Sequence, residues 1–395
     1  MSKKCIVVGV TGGIAVYKAL DVISKLKKLD YDVHVIMTKS ACEFVTPLSF
    51  QALSQNLVTT DMVSEPKAWE IQHISLAQRA DLMLIVPATA NIIGKVANGI
   101  ADDMLSTTIT ATKAPVVFAP AMNTQMYNNP IIQSNIEKLK TYGYSFIEPG
   151  SGRLACGDIG RGKLQDTEII VDFVHSMLYS PKDLLNKRVL VTAGPTEAPI
   201  DPVRCITNHS SGKMGYAIAK EARDRGAEVT LITGPTALLP PEGVEVIKVK
   251  TNNEMLEAVL KVYDQMNIII KSAAVSDFKV VNYSSEKIKK KEETLVLELT
   301  KDKDILKLLG ENKKKQILVG FAAESNNVIS YAEEKLKKKN LDYIVANDIM
   351  QEDGGFNSDN NKVTILSSNG ESLMLDKMDK KDVAKNLFDF IIKER

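Results

Sequence analysis

Cysteine and histidine are scarce in this 395-residue chain, with four of each. Cys5, Cys42, Cys156 and Cys205 stand far apart with no CxxC pair, and His34, His73, His175 and His209 have no metal-type spacing with them. A disulfide framework and a bound transition metal are therefore not expected. Net charge is also nearly absent: 50 basic and 49 acidic residues leave +1, too little for a global field that attracts nucleic acid or an anionic membrane. No apolar run approaches the ~20 residues a membrane span needs. The opening MSKKCIVVGV offers no small-residue cleavage site and reads as a first strand, not a signal peptide. The expected location is the cytoplasm, where thiols stay reduced. Low-complexity segments and short-period repeats are missing too.

What is present is ordinary globular composition, 44% hydrophobic and 25% charged, in a chain long enough for two or three domains. Two stretches open alike. CIVVGVTGGIAVYKAL (5–20) and RVLVTAGPTEAP (188–199) are β-branched strands running into glycine-containing turns, each with a second strand further on, at 31–38 and 227–236. Strand, turn, helix, strand predicts parallel βαβ units, twice. Further continuous apolar runs at 81–89, 114–122, 244–250, 267–278, 316–324 and 341–348 suit strands covered by helices on both faces. The fold class expected is α/β, two doubly wound Rossmann-like domains over 1–180 and 187–395, with YSPKDLLNK (179–187) as linker. Ligands in such sheets bind at the carboxyl ends of strands.

In the first domain, Gly12 and Gly13 follow strand one and suit phosphate contact through backbone N–H groups, although a plain tight turn is equally consistent and the GxGxxG spacing of a dinucleotide site is missing. Thr38 and Ser40 follow strand two, able to hold a second part of the same ligand. PATAN (87–91) and APAMN (119–123) each end a strand with an asparagine, Asn91 and Asn123, whose amide can donate and accept. His73 by itself reads as a structural histidine. SGRLACGDIGRGKL (151–164) sets Cys156 among glycines, where a thiol contributes little to packing.

TGGIAVYK, PATAN with GKVANGIADDMLSTT, APAMNTQMYNNP and SGRLACGDIGRGKL, in that order across residues 1–165, resemble the flavin-dependent cysteine decarboxylases. The resemblance implies a flavodoxin-like domain of the homo-oligomeric flavin-containing type, with FMN contacted by Gly12, Gly13, Thr38, Ser40, Thr89 and Asn91. His73 and Asn123 would then serve the reaction and the substrate carboxylate, and Cys156 would be the proton donor on a substrate-covering flap. Thr89 replaces the family's usual serine, keeping the hydroxyl. The chemistry accounts for these residue types. Loss of CO₂ from the cysteine end of an amide needs an electron sink, which hydride removal from the CH₂–SH carbon provides as a thioaldehyde. The ene-thiolate left by decarboxylation must regain a hydride and a proton. Flavin supplies the difficult step and the protein orients and donates. A thiol of reference pKa ~8.5 is mostly protonated at neutral pH, which suits a general acid.

In the second domain, Arg204, Asn208, Ser210, Ser211, Gly212 and Lys213 cluster at or before a helix N-terminus, an anion-binding arrangement. Asp277 follows a buried strand like an acid that binds ribose hydroxyls. A lysine run, EKIKKKEE (286–293), stands alone as a solvated surface, but Lys335 and Lys339, four apart on one helix face, suggest a polyphosphate clamp. ITNHSSGKMG, SAAVSDF, KIKK, KDKDI, GFAAESNN and NLDYIVAND resemble phosphopantothenate–cysteine ligase domains. That implies CTP contacts at Asp277, Lys287, Asp302, Lys303, Asp304, Ile305, Phe321, Lys335 and Lys339. It assigns acyl-cytidylate formation to Lys287 and cysteine transfer to Arg204 and Asn208. KDKDI departs from the common KNPDI by a lost proline. Mg²⁺ would arrive with CTP, held mainly by phosphates.

Together the two resemblances imply consecutive steps of coenzyme A biosynthesis: 4′-phosphopantothenate, cysteine and CTP give an amide, which FMN-dependent decarboxylation trims to 4′-phosphopantetheine. Trimers of the flavin domain and paired ligase domains would build a homo-oligomer as large as a dodecamer, with no nucleic-acid or membrane partner. Three other readings compete with this one. A phosphatase-regulating protein of the same fold commonly lacks part of the His/Asn/Cys set and carries an acidic tail. A peptidyl-cysteine decarboxylase has no use for the second domain, and an NAD(P) enzyme is the bland fold-level alternative.

Overall fold

The computed structural model describes residues 3–62, 71–289, 295–324, 328–348 and 358–393. The chain divides into two compact units, Met1–Leu178 and Tyr179–Arg395. No helix among the described residues is long and apolar enough to cross a membrane.

The first unit is built on β1 (Cys5–Val10), β2 (Asp32–Met37), β3 (Val58–Thr59), β4 (Leu82–Ala88), β5 (Val116–Pro120) and β6 (Ser145–Phe146). Their order is β3-β2-β1-β4-β5-β6, parallel throughout. Without the two-residue edge strand β3, the remaining five follow the flavodoxin order, with the direction of winding reversing between β1 and β4. The runs of β1, β4 and β5 are buried at every position because helices cover both faces. One core packs the helices Val16–Lys28 and Thr167–Leu178 on one face, and a second packs Ala90–Ala97, Met104–Ala111 and Pro130–Thr141 on the other. The glycine-rich stretch around Cys156 is a hairpin, β7 (Gly150–Arg153) antiparallel to β8 (Ile159–Lys163), with Cys156 at its tip. Gly157, at φ +93°, makes the turn an L side chain would resist.

The second unit carries β9 (Arg188–Ala193), the small pair β10 (Glu197–Pro199) and β11 (Cys205–Thr207), β12 (Glu228–Thr233), β13 (Glu245–Lys248) and β14 (Ile268–Lys271). There follow the pair β15 (Phe278–Val280) and β16 (Leu299–Lys301), then β17 (Ile317–Glu324), β18 (Tyr343–Asp348), β19 (Asn360–Ser367) and β20 (Ser372–Asp379). The main sheet runs β13-β12-β9-β14-β17-β18-β19-β20. Its first six strands are parallel, as expected of a doubly wound domain, whereas β19 and β20 are antiparallel additions. The sequence reading passed over that last hairpin, although Asn369-Gly370 between two alternating runs is a strong turn signal. The strand expected over 267–278 stops at Lys271; 272–277 form a loop that meets the stretch after β9 through the bridge Pro195–Ala274, and Phe278 begins another strand. The linker expected over 179–187 is packed into this unit. Leu184 is buried in its core, Lys182 donates to the Asp224 carbonyl at 2.7 Å, and Asp183 meets the fully buried Arg225 at 3.1 Å.

Candidate active sites

At the switch point of the first sheet, a short network ties the loops after β1 and β4. The Thr11 hydroxyl donates to the Pro87 carbonyl at 2.6 Å and accepts from the Thr89 N–H at 3.1 Å. Gly12 lies so close to the loop after β2 that an added Cβ would sit 2.4 Å from the Ser40 Cβ. These contacts bring three strand ends together around a cleft of two lobes, both bordered by Gly12, Thr89 and Met126. The first lobe, about 650 Å³, is mostly apolar, with Ile14, Pro87, Met122 and Leu154 in its walls and Asn123 and Cys156 at its edge. The second, about 590 Å³, is polar, lined by Thr38, Ser40, Asn91 and the Asp102–Asp103 pair that Lys95 bridges. An apolar slot continuous with a polar one, under the N-terminus of the helix Ala90–Ala97, fits a flat ring with a phosphate-bearing tail. Gly12, Gly13, Thr38, Ser40, Thr89 and Asn91 all line this cleft.

Asn123 caps the helix Thr124–Asn128, its Oδ1 accepting from the Gln125 N–H at 2.8 Å. That fixes the amide so that Nδ2 faces the hairpin tip, where it donates to Cys156 Sγ at 3.3 Å and Asp158 Oδ2 at 2.7 Å. Asp158 escaped the sequence reading, although CGDIG places a carboxylate two residues from the thiol. The hairpin's base is anchored apart from its tip: Arg161 pairs with Glu148 at 2.8 Å and the Met122 N–H donates to the Gly162 carbonyl at 2.9 Å. His73 stands elsewhere, in the first turn of the helix Gln72–Arg79, and lines neither lobe.

The second unit holds a cavity of about 480 Å³ lined from β14, β17 and β18 and the loops beside them. Asn208, Asp277, Lys303, Asp304, Ile305, Phe321, Lys335 and Lys339 all line it, as do Ser210, Ser211, Gly212 and Lys213 at the start of the helix Lys213–Asp224. Asp304 caps the helix Ile305–Glu311 and pairs with Lys339 at 2.7 Å. Burial works to raise its pKa, yet Lys339 and the Lys307 N–H hold the carboxyl below its ordinary range. Asn347 faces the same space, and among the described residues nothing hydrogen-bonds its buried Oδ1. An orphaned acceptor in a cavity rimmed by lysines fits a ligand with both donors and anionic groups.

The cavity also contains a residue that sequence reasoning missed. Lys271 ends the apolar run of β14, and burial pushes its ammonium down to about 8, with Lys339 and Lys335 adding to the shift and Asp304 and Asp277 opposing it. Among the described residues no hydrogen bond or ion pair holds it. A lysine closing an Ile-Ile-Ile strand was the available signal.

Three expected residues are not on this cavity. Arg204 is spent locally, its Nη1 on Asp201 at 2.9 Å and on the Ile288 carbonyl at 3.3 Å, while buried Asp201 also accepts from the Ile288 N–H. This knot fixes the start of the lysine run, whose remainder, 290–293, lies outside the described residues. Lys287 is exposed beside it, and Asp302 meets Lys279 at 3.4 Å. As for metals, one group of possible ligands close enough to share an ion exists among the described residues, Cys5, Asp32 and His34. Burial, together with Asp32 and Asp81, pushes that thiol up to about 12, and Arg79 lies 3.4 Å from His34 Nε2, so its chemistry disfavours a cation.

Residues 1–179 match the Flavoprotein family, and residues 184–394 match the family described as the DNA/pantothenate metabolism flavoprotein C-terminal domain. A Bacillus subtilis protein, Coenzyme A biosynthesis bifunctional protein CoaBC, is 50% identical over 387 residues, 97% of this chain and 95% of its own. The Borreliella burgdorferi protein of the same name is 47% identical over 388 residues, covering 97% of this chain and 98% of its own. A crystal structure of the C-terminal domain of a CoaBC is 45% identical, covering 53% of this chain and 96% of that one, with a TM-score of 0.47.

Proposed function

Since this chain belongs to the CoaBC family of bifunctional coenzyme A biosynthesis proteins, we propose how its two units divide the work. The protein is a flavoprotein decarboxylase and a phosphopantothenate–cysteine ligase. In our reading the first unit decarboxylates 4′-phosphopantothenoylcysteine with FMN, and the second makes that compound from 4′-phosphopantothenate, cysteine and CTP.

The observation that supports the first assignment is the two-lobed cleft, which gathers Gly12, Thr38, Ser40, Thr89, Asn91 and Asn123 from four strand ends and Cys156 from the hairpin tip. FMN would lie along the cleft, with Thr38, Ser40 and Asn91 toward its phosphate-bearing tail, and would supply the electron sink for CO₂ loss. Asn123 Nδ2 holds the substrate carboxylate. Cys156, brought over the substrate by its hairpin, gives the proton to the carbon that lost CO₂. His73 reaches neither lobe, so a homo-oligomer in which His73 of one copy meets the cleft of a neighbour reconciles its position with a role in the reaction. Exposed Ile14 and Tyr17 on the rim, and Leu48 on the helix Pro47–Ser54 that packs against the helix Val16–Lys28, offer apolar surface for such packing. Trimers of this unit and pairs of the second would give the dodecamer.

In the second unit, Lys335, Lys339 and Lys271 face the phosphates of CTP, whose own oxygens carry Mg²⁺, and Asp277 takes the ribose. Asn208, which donates to the Val275 carbonyl at 3.1 Å, stands at the cavity mouth where cysteine attacks the acyl-cytidylate. Our reading keeps Lys287 for acyl-cytidylate formation and Arg204 for cysteine transfer, although neither lines the cavity. The test is direct. Protein supplied with 4′-phosphopantothenate, cysteine, CTP and Mg²⁺ should yield 4′-phosphopantetheine, CMP and pyrophosphate by mass. A purified protein without flavin absorbance, or without CTP-dependent pyrophosphate release, would defeat the corresponding half.

A further inference from the structure

The amide of Asn123 has no donor to spare. Its two N–H groups are committed, one to Asp158 Oδ2 at 2.7 Å and one to Cys156 Sγ at 3.3 Å, and its carbonyl is held by the Gln125 N–H at 2.8 Å. The Cys156 S–H in turn donates to Asp158 Oδ2 at 3.4 Å. One carboxylate oxygen thus receives both the amide and the thiol. Among the described residues no lysine or arginine pairs with Asp158. Arg161, on the same hairpin, is taken by Glu148. A carboxylate without a cation, resting on the amide that our reading gives to the substrate carboxylate, occupies the substrate's own position.

We infer that Asp158 is a placeholder for the substrate carboxylate: it fills the Asn123 amide while the site is free, and the substrate binds by taking its place. This rests on the assignment of the substrate carboxylate to Asn123. Two carboxylates on one amide repel, so the arriving group must drive Asp158 away, and the contact that yields is the charge-assisted one. The same exchange releases the thiol. The Asn123 N–H that Cys156 Sγ accepts turns to the arriving carboxylate, so the thiol is released from Asn123 only when a carboxylate has come. The tip can let go alone, because the hairpin's base is anchored at Arg161 and Gly162 and only Leu154–Asp158 forms the turn.

The experiment compares two ligands that differ by the carboxylate, the substrate 4′-phosphopantothenoylcysteine and its product 4′-phosphopantetheine. With flavin-loaded full-length protein, KM for the substrate and the competitive Ki for the product are measured in wild type, Asp158→Asn and Asp158→Glu. A neutral amide competes less for Asn123, so in Asp158→Asn the ratio of KM to Ki should fall about tenfold, the worth of roughly one charge-assisted hydrogen bond at an exposed site. Asp158→Glu, which keeps the charge, should restore the ratio most of the way to wild type. A ratio unchanged in Asp158→Asn, or KM and Ki rising together as a collapsed hairpin would cause, overturns the placeholder. Asn123→Ala separates the underlying assignment. If it raises KM far more than Ki, Asn123 holds the carboxylate and the Asp158 result stands on its own. Equal rises remove that assignment and the placeholder with it.

Discussion

Lys271→Met tests whether the second unit tolerates a costly charge for its ligand. The ammonium is pushed from 10.5 to about 8, chiefly by burial. At 1.36 kcal/mol per unit this amounts to about 3 kcal/mol of instability at pH 7, because a charged lysine is worse placed in the folded protein than in the unfolded chain. The sign follows from proton counting. Below pH 8 both states carry the proton and the cost is complete; between 8 and 10.5 the unfolded chain holds more protons, so stability climbs with pH. The variant has no such group. It should be more stable by about 3 kcal/mol at pH 7, narrowing to about 2 at pH 9 and about 1 at pH 10. The difference between the two proteins isolates Lys271 from every other titration. Denaturant unfolding of flavin-loaded full-length protein, followed through a probe in the second unit and repeated at those three pH values, measures it. The same variant should bind CTP more weakly, and wild-type binding should take up a proton at pH 8.5. A gain that stays constant across pH, or no gain at all, refutes the argument, since a well-solvated lysine would give neither the cost nor its relief.

Cys156→Ser should still bleach the flavin anaerobically and release CO₂, then stop with an unsaturated product two hydrogens poorer than 4′-phosphopantetheine; normal turnover would make the thiol a bystander. Lys287→Gln should lose pyrophosphate release, whereas Asn208→Asp should keep it and fail to capture cysteine; equal loss in both would erase the division of roles. Gly12→Ala should purify with little flavin, because the new Cβ would stand 2.4 Å from the Ser40 Cβ and force apart two loops at the switch point. Retained yellow colour would show that those loops give way. His73→Asn should lose decarboxylation while leaving flavin content and ligation intact; a colourless aggregate would instead mark a structural histidine.

The sequence by itself determined the parallel sheets and most of the residues that line the cavities at their strand ends, because buried β-branched runs and the residues just after them are local signals. Gly12, Thr38, Asn91 and Asn123 could be marked from their place after a strand alone, and so could Asp277 and Lys339 from their surroundings. Tertiary structure alone decided what those residues meet. The Asp158 carboxylate looks like one more polar loop residue until the hairpin folds back and sets it on Asn123 Nδ2 at 2.7 Å. Lys271 is one charge in an apolar run until β14 is buried between β9 and β17 and its ammonium loses water. Arg204 reads as an anion ligand until buried Asp201 claims it at 2.9 Å. A hydrogen bond or a desolvation cost depends on distances across the chain, 35 positions for Asn123 and Asp158, and such distances exist only once the sheets have stacked their loops at one edge.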